Sequence, residues 1–242
     1  MAVLVPSRRR GVELLDAPDV DSSLRTRSHR DIAVSNALFG GTRALLAELR
    51  IAVPALPQQA SFVDVGTGTG EATAFAERFC VSLGVSLRTI GLDSDRGLAR
   101  LSRRFAHHGV CGSALALPFA DGSIDVVACS QLAHHFEEGD LRTLIREMHR
   151  VARRRVIISD LRRSWLAVAG LWSSSFPLRF HPVSRHDGVV SILRGFTLAE
   201  LRALVYETVR VRPTVRRRWA FRLTASWDPG SSPTPQTSRS AR

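Results

Sequence analysis

The chain contains no lysine: every one of its 34 basic side chains is arginine. That absence excludes an imine-forming lysine, a phosphate-loop lysine and a lysine general base. Cysteine is scarce as well. Cys80, Cys111 and Cys129 are odd in number, widely spaced and set among apolar residues, which suits free thiols in a reducing compartment. There is no C-x-x-C pair and no histidine cluster at zinc spacing, so no metal is expected. The N-terminus has no apolar signal segment, and no run reaches the roughly 18 apolar residues needed to cross a bilayer. A cytoplasmic protein without a transmembrane segment is therefore expected. Acidic residues are outnumbered, 22 against 34, leaving a net charge of +12. Such a surplus is the footprint of a nucleic-acid binder, or of arginine spread over an ordinary solvated surface. Only Arg8 to Arg10, Arg153 to Arg155 and Arg216 to Arg218 form runs, and this scatter favours the second reading.

What is present is a chain of 242 residues, 44% apolar, enough for one α/β domain with appended elements. Residues 1–58 read as a polar arm, punctuated by Pro6 and Pro18, followed by a helical cap. Ile32, Val34, Ala37 and Leu38, then Ala44, Leu45 and Leu49, fall at helical spacing, interrupted by Gly40-Gly41. Residues 59–226 alternate strand and helix, the pattern of a parallel sheet covered on both faces. The expected strands are Phe62–Val65, Ser86–Asp93, Val110–Ala114, Ile124–Ser130 and Arg155–Asp160. The expected helices are Ala72–Leu83, Ser94–His107 with Leu98, Leu101 and Phe105 inward, and Asp140–Val151. Ser164 to Phe180 is an apolar run read as a helical lid, and Thr197 opens a helix to Tyr206 with Glu200 in a capping box. Thr208–Val215 and Trp219–Ser226 read as an antiparallel edge pair joined by an arginine turn. Residues 227–242 are rich in Ser, Pro and Thr and are expected to be disordered. The fold class expected is Rossmann-like: a doubly wound, mostly parallel seven-stranded sheet with an antiparallel edge hairpin and an N-terminal helical cap.

The most informative stretch is Phe62-Val63-Asp64-Val65-Gly66-Thr67-Gly68-Thr69-Gly70, a buried strand running into a glycine turn and a helix. Gly66, Gly68 and Gly70 lack a Cβ, so a ligand can lie against the backbone. Dinucleotide enzymes carry glycines at the same place, but here Asp64 sits two residues before the first of them. A carboxylate there repels a pyrophosphate and suits an ammonium or sulfonium group. Asp93, ending the second strand, has the position and length to accept from both hydroxyls of a ribose.

These residues, with Ala116-Leu117-Pro118-Phe119-Ala120-Asp121, Ile124-Asp125-Val126-Val127 and Leu132-Ala133-His134-His135-Phe136, resemble the class I S-adenosylmethionine-dependent methyltransferases. The nearest branch is the small-molecule one that includes the ubiquinone/menaquinone-biosynthesis methyltransferases, over roughly residues 62–206. The resemblance implies that Gly66, Thr67, Gly68 and Gly70 line the methionine and ribose portions, and that Asp93, with Ser94 beside it, takes the ribose hydroxyls. It also implies that Ser113 and Ala114 flank the adenine and that Ser130 and Gln131 close the pocket beneath the methyl donor. Serine stands at position 113 where the family usually has aspartate, and Ala152-Arg153-Arg154-Arg155 replaces the usual Pro-Gly-Gly turn. Asp160 to Ser164, His186-Asp187-Gly188 and Arg194 to Thr197 look similar to a bacterial subgroup associated with polyketide and alkylquinone genes.

Methyl transfer needs a nucleophile held in line with the donor in a dry pocket. Trp165 and Trp172 are candidate walls of that pocket. A phenol must also lose a proton, for which histidine is suited. His134 and His135 follow the fourth strand, where ligands of parallel sheets gather, and His186 stands beside Asp187. Each has a plain alternative, as a helix cap or a packed core residue. The expected function is therefore methylation of a small hydroxylated aromatic, quinol or polyketide-like acceptor on oxygen or carbon. An RNA or protein methyltransferase using the basic surface, and a cofactor-binding protein without catalysis, are the other readings. Against nucleic acid as the partner, the fourth strand ends in Ser-Gln-Leu-Ala-His-His and not in an Asn/Asp-Pro-Pro-Tyr motif.

Overall fold

The computed structural model describes residues 5–231, apart from residues 10, 17–20, 22, 23, 25, 26, 29, 30, 32, 33, 36 and 37. Ile32 and Ala37 of the expected first helix, and residues 232–242 of the expected tail, lie outside the described residues. The strands are β1 (Gln59–Val65), β2 (Ser86–Asp93), β3 (His108–Cys111), β4 (Ile124–Ser130), β5 (Ala152–Leu161), β6 (Thr214–Arg218) and β7 (Arg222–Trp227). They form one sheet in the order β3-β2-β1-β4-β5-β7-β6. The first five are parallel to their neighbours, and the β6–β7 hairpin joins β5 antiparallel. This is the expected doubly wound, Rossmann-like sheet. Its order reverses between β1 and β4, and the carboxyl ends of strands at such a reversal are where ligands of open α/β sheets bind.

The helices are α1 (Gly41–Ala52), α2 (Glu71–Val81), α3 (Arg96–Ser102), α4 (Glu138–Val151), α5 (Trp165–Ser175), α6 (Pro182–Arg194) and α7 (Leu198–Val209). Because strand side chains alternate, Val63, Val65, Val127, Cys129, Val156 and Ile158 meet α4 and α7 on one face. Phe62, Val126, Ala128 and Ile157 meet α1 and α2 on the other. Helix α4 presents Leu141, Leu144, Ile145, Met148 and Val151 at spacings of three and four, a single buried stripe. Helix α1 also buries Glu48, which accepts from Thr224 (2.6 Å), Ser226 (2.8 Å), Arg216 (3.2 Å) and Arg218 and so ties α1 to the edge hairpin. Thr197 and Glu200 form the expected capping box of α7. Among the described residues no helix is long and apolar enough to cross a membrane.

Several boundaries differ from the sequence expectation, each for a physical reason. Helix α3 stops at Ser102, not His107, because β3 already pairs with β2 from His108 and the chain needs residues 103–107 to return. Leu101 and Phe105, expected inward, are consequently exposed. Ala152 to Arg155, read as a turn, is the start of β5. Thr208 belongs to α7, its hydroxyl bonded to the Leu204 carbonyl at 2.6 Å, and the helix ends at Arg210 with φ 59°. The arginines 216–218 are strand residues, and the hairpin turns at Ala220 and Phe221, both with positive φ. Trp227, placed at the start of the tail, is buried at the end of β7, its ring N–H toward His149 Nδ1 at 3.2 Å. The expected lid is followed by a second helix, α6, whose proline sits in the first turn, where no N–H is needed.

Candidate active site

The glycine turn is stitched to the end of β2. The Gly66 and Thr67 amides both donate to the Leu92 carbonyl, at 2.8 and 3.0 Å. Gly66, Gly68 and Gly70 have φ of 71°, 57° and 91°, a region that L side chains rarely enter. At Gly70 a Cβ would also press on Ser102 Cα at 3.0 Å, whereas at Gly68 it would meet nothing within 4 Å. Gly68 therefore leaves open space above a bare peptide. Its amide donates to Asp93 Oδ2 at 3.0 Å, and Asp93 Oδ1 accepts from the Asp95 amide at 3.0 Å. Each oxygen retains a second lone pair for a ligand hydroxyl.

Asp64 is buried beneath this turn. Its Oδ2 accepts from Thr73 (2.9 Å) and Thr67 (3.1 Å), while Oδ1 is buried with no hydrogen-bond partner. Burial raises the Asp64 pKa to about 6, against the opposing effect of the two threonine hydroxyls. An orphaned buried carboxylate oxygen, an open glycine and the Asp93 carboxylate form a donor and acceptor set that fits S-adenosylmethionine. Asp64 suits its cationic end, and Asp93 suits its ribose. The remaining candidates are less uniform. Ser94 is exposed and Asp95, not Ser94, caps α3. Ser113 is exposed and its hydroxyl accepts from the Leu115 amide at 3.1 Å; Ala114 beside it is half-buried. Ser130 Oγ is buried without a partner, and Gln131 takes φ 55° while its amide holds the Ser159 carbonyl at 2.8 Å. That bend brings Leu132 over Gly66, where a Cβ would lie 2.7 Å from Leu132 Cδ2.

The 3-10 turn Ala133–His135 after β4 carries the second half of the site. His134 is only 4% exposed. Its Nδ1 lies 2.7 Å from Asp160 Oδ1 at the end of β5, and its amide donates to Asp160 Oδ2 at 3.1 Å. Burial would raise the Asp160 carboxyl, but the His134 ring and the amides of Leu161 and His134 hold it below the usual range. The ionised Asp160 carboxylate accepts from His134 Nδ1–H. His135 stacks on His134 with ring centroids 4.3 Å apart, and burial and the neighbouring His134 push its pKa down to about 4.

The N-terminal arm completes this half. Asp187 accepts from the Leu14 and Leu15 amides at 2.8 and 2.9 Å, pinning the arm to α6. Glu13 is thereby buried 3.8 Å from His135 Nδ1, where it also accepts from Ser191 (2.8 Å) and Arg194 (3.0 Å). One ligand atom from each of Glu13, His134 and His135 lies within 4.8 Å of the others. Arg194 also pairs with Glu13, and Asp160 holds His134, which ties the three residues into a wider hydrogen-bonded group.

Two expectations are corrected. His186 does touch Asp187 (2.9 Å), but its ring is half exposed and Asp187 is committed to the arm, so the pair does not act as a base aimed into the site. Trp165 and Trp172 lie on the outer face of α5, open to solvent, and do not wall a pocket. Sequence reasoning missed Glu13, Thr73, Asp160 and Arg194 as members of the site. Asp160 had a signal, since it ends a strand beside β4; Glu13 had none.

Residues 63–159 match the methyltransferase domain family. An uncharacterized methyltransferase of Bacillus subtilis, YcgJ, is 35% identical over 96 residues, which cover 37% of this chain. The matched stretch spans 35% of that relative's length. Among solved structures, a SAM-dependent methyltransferase from Aquifex aeolicus superposes with a TM-score of 0.57 at 13% identity, over 86% of this chain and 98% of that one. A TehB-like SAM-dependent methyltransferase from Corynebacterium glutamicum gives 0.54 at 14% identity, over 85% and 97%. At these identities the two structures share the fold.

Proposed function

We propose that this chain, whose residues 63–159 match the methyltransferase domain family, is a class I S-adenosylmethionine-dependent methyltransferase that methylates a small hydroxylated acceptor. The acceptor class that fits best is a hydroxylated aromatic, quinol or polyketide-like molecule, methylated on oxygen or carbon. The observation that carries this reading is the buried His134–Asp160 pair at the carboxyl end of β4, next to the glycine turn. With Nδ1 held by the Asp160 carboxylate, we assign Nε2 the role of accepting a phenolic proton. S-adenosylmethionine, when bound, supplies an electrophilic methyl group. Asp64 and the turn from Gly66 to Gly70 orient the donor, and Asp93 holds its ribose. Leu132 and the docked arm exclude water, which favours combination of a cation with an oxyanion over their separation.

The cover formed by the arm and α6 suits a small molecule better than an RNA or a protein. Two of the three arginine runs also neutralise acids: Arg153 and Arg154 pair with Asp125, and Arg216 and Arg218 with Glu48. We place the protein in the cytoplasm. The reading is tested with His134→Gln and labelled cofactor over a panel of phenols, quinols and RNA. Expected is a turnover loss of about a hundredfold with cofactor affinity kept. Unchanged turnover in the variant, or label found only in RNA, would falsify it.

A further inference from the structure

Helix α5 is unusual for a surface helix because it carries no charge. From Ser164 to Leu178 every residue is apolar or a small polar one. Ala167, Leu171 and Ser175 are its buried positions. Trp165, Ala169, Trp172 and Phe176 follow at i, i+4, i+7 and i+11, a straight stripe along the outside. Trp165 is 39% exposed, Trp172 50% and Phe176 52%, with Leu166 at 54% beside them. A surface helix ordinarily turns charged residues outward, and a contiguous apolar patch marks a contact site.

The border of the stripe is cationic. The Arg185 guanidinium lies 3.9 Å over the Phe176 ring and 5.4 Å over Trp172, and that of Arg9 lies 5.9 Å over Trp165. Arg179, exposed, follows the stripe directly. Between Asp160 and Asp187 the sequence has no acidic residue and four arginines. Aromatic side chains edged by arginines on an uncharged helix are the chemistry of a segment lying in the interface of an anionic bilayer.

We propose that the outer face of α5 docks on an anionic membrane surface. The aromatic stripe enters the boundary between headgroups and acyl chains, and Arg9, Arg179 and Arg185 meet lipid phosphates. A second copy of the chain fits less well, because a two-fold interface would set these arginines against one another. The surface goes beyond the methyl-transfer reading and does not depend on it. Helix α5 starts five residues after Asp160, so docking would also bring the site close to acceptors that partition into lipid.

The test is co-sedimentation of the full chain with vesicles of phosphatidylcholine alone and of phosphatidylcholine with phosphatidylglycerol, roughly two parts to one. Expected is binding to the anionic vesicles about tenfold or more above the neutral ones, falling with added salt. The triple variant Trp165→Ser, Trp172→Ser, Phe176→Ser and the double variant Arg179→Glu, Arg185→Glu should each lose about tenfold. Both should still bind S-adenosylhomocysteine with wild-type affinity, which checks their folding. Failure of the wild type to bind anionic vesicles, or equal binding by wild type and triple variant, overturns the proposal. So does a dimer, seen by sedimentation without lipid binding, that the triple variant abolishes. Vesicle binding without turnover of any phenol would leave the docking surface standing and remove the acceptor reading.

Discussion

The glycine turn and the histidine pair stand at the ends of adjacent strands, yet they are assembled in opposite ways. Asp64, Thr67 and Thr73 meet within nine residues of chain, and the turn leans on the end of β2, the next strand in sequence. His134 instead depends on Asp160, 26 residues away, and His135 faces Glu13, which is held by Ser191 and Arg194 from 178 and 181 residues away. The glycine-turn half, the proposed donor side, is thus a local construction, fixed once β1, β2 and α2 pack. The histidine half, the proposed acceptor side, requires the N-terminal arm to return across α6. On the proposed reading, such an arrangement would let acceptor preference change through the arm and α6 while the donor site is untouched.

That contrast can be broken by experiment. Asp160→Asn should reduce turnover the most, about a hundredfold, through loss of the correct His134 tautomer. Cofactor affinity should stay within about twofold. If donor affinity fell equally, the two halves would not be separable. Asp93→Ala should act on the other side, weakening cofactor binding by roughly thirty- to a hundredfold in a calorimetric titration, since a charged acceptor of ribose and backbone hydrogen bonds is removed. Asp187→Ala should free the arm: an acceptor KM raised by about tenfold, faster proteolysis before residue 16 and an unchanged cofactor Kd would confirm that the arm serves the acceptor alone.

The smallest effect lies in the pH dependence of stability. Asp64, with its pKa raised to about 6, keeps its proton in the folded state, so its contribution falls as pH rises from its ordinary 3.8 toward 6. His135, lowered to about 4 from 6.5, is protonated first in the unfolded chain, so its contribution rises with pH across that window. The two slopes oppose each other. Asp64→Asn should remove the falling one, and urea melts at about pH 4.5 and 6.5 should show the stability gain with pH steepened by on the order of 1 kcal/mol. An unsteepened profile would mean that Asp64 titrates as an ordinary carboxyl.

Much of the fold was legible, and the legible parts share a cause. Ile124–Ser130 is found at the expected bounds because a strand buried on both faces reads as a nearly continuous apolar run, and Ser86–Asp93 because its first half alternates exposed and buried residues. The capping box at Thr197 and Glu200 and the glycine turn are short-range hydrogen-bond and backbone requirements, and they show in a few adjacent residues. Helix α6 was hidden because Pro182, His186, Asp187 and Gly188 look like loop; packing against α5 and the docked arm overrides that composition. Trp165 and Trp172 were read inward from their hydrophobicity, but a charge-free helix has no polar face to show which side is out.

The sequence by itself determined the alternation of strand and helix, the positive-φ turn at Gly66 to Gly70, and the acids Asp64 and Asp93 that flank it. Only the tertiary structure decided that Asp160 orients His134, that Glu13 and Arg194 close on His135, and that the aromatic stripe of α5 faces solvent. Backbone period and turn conformation depend on near neighbours along the chain. Burial, hydrogen-bond partners and the pKa values they set depend on which distant segments arrive beside them.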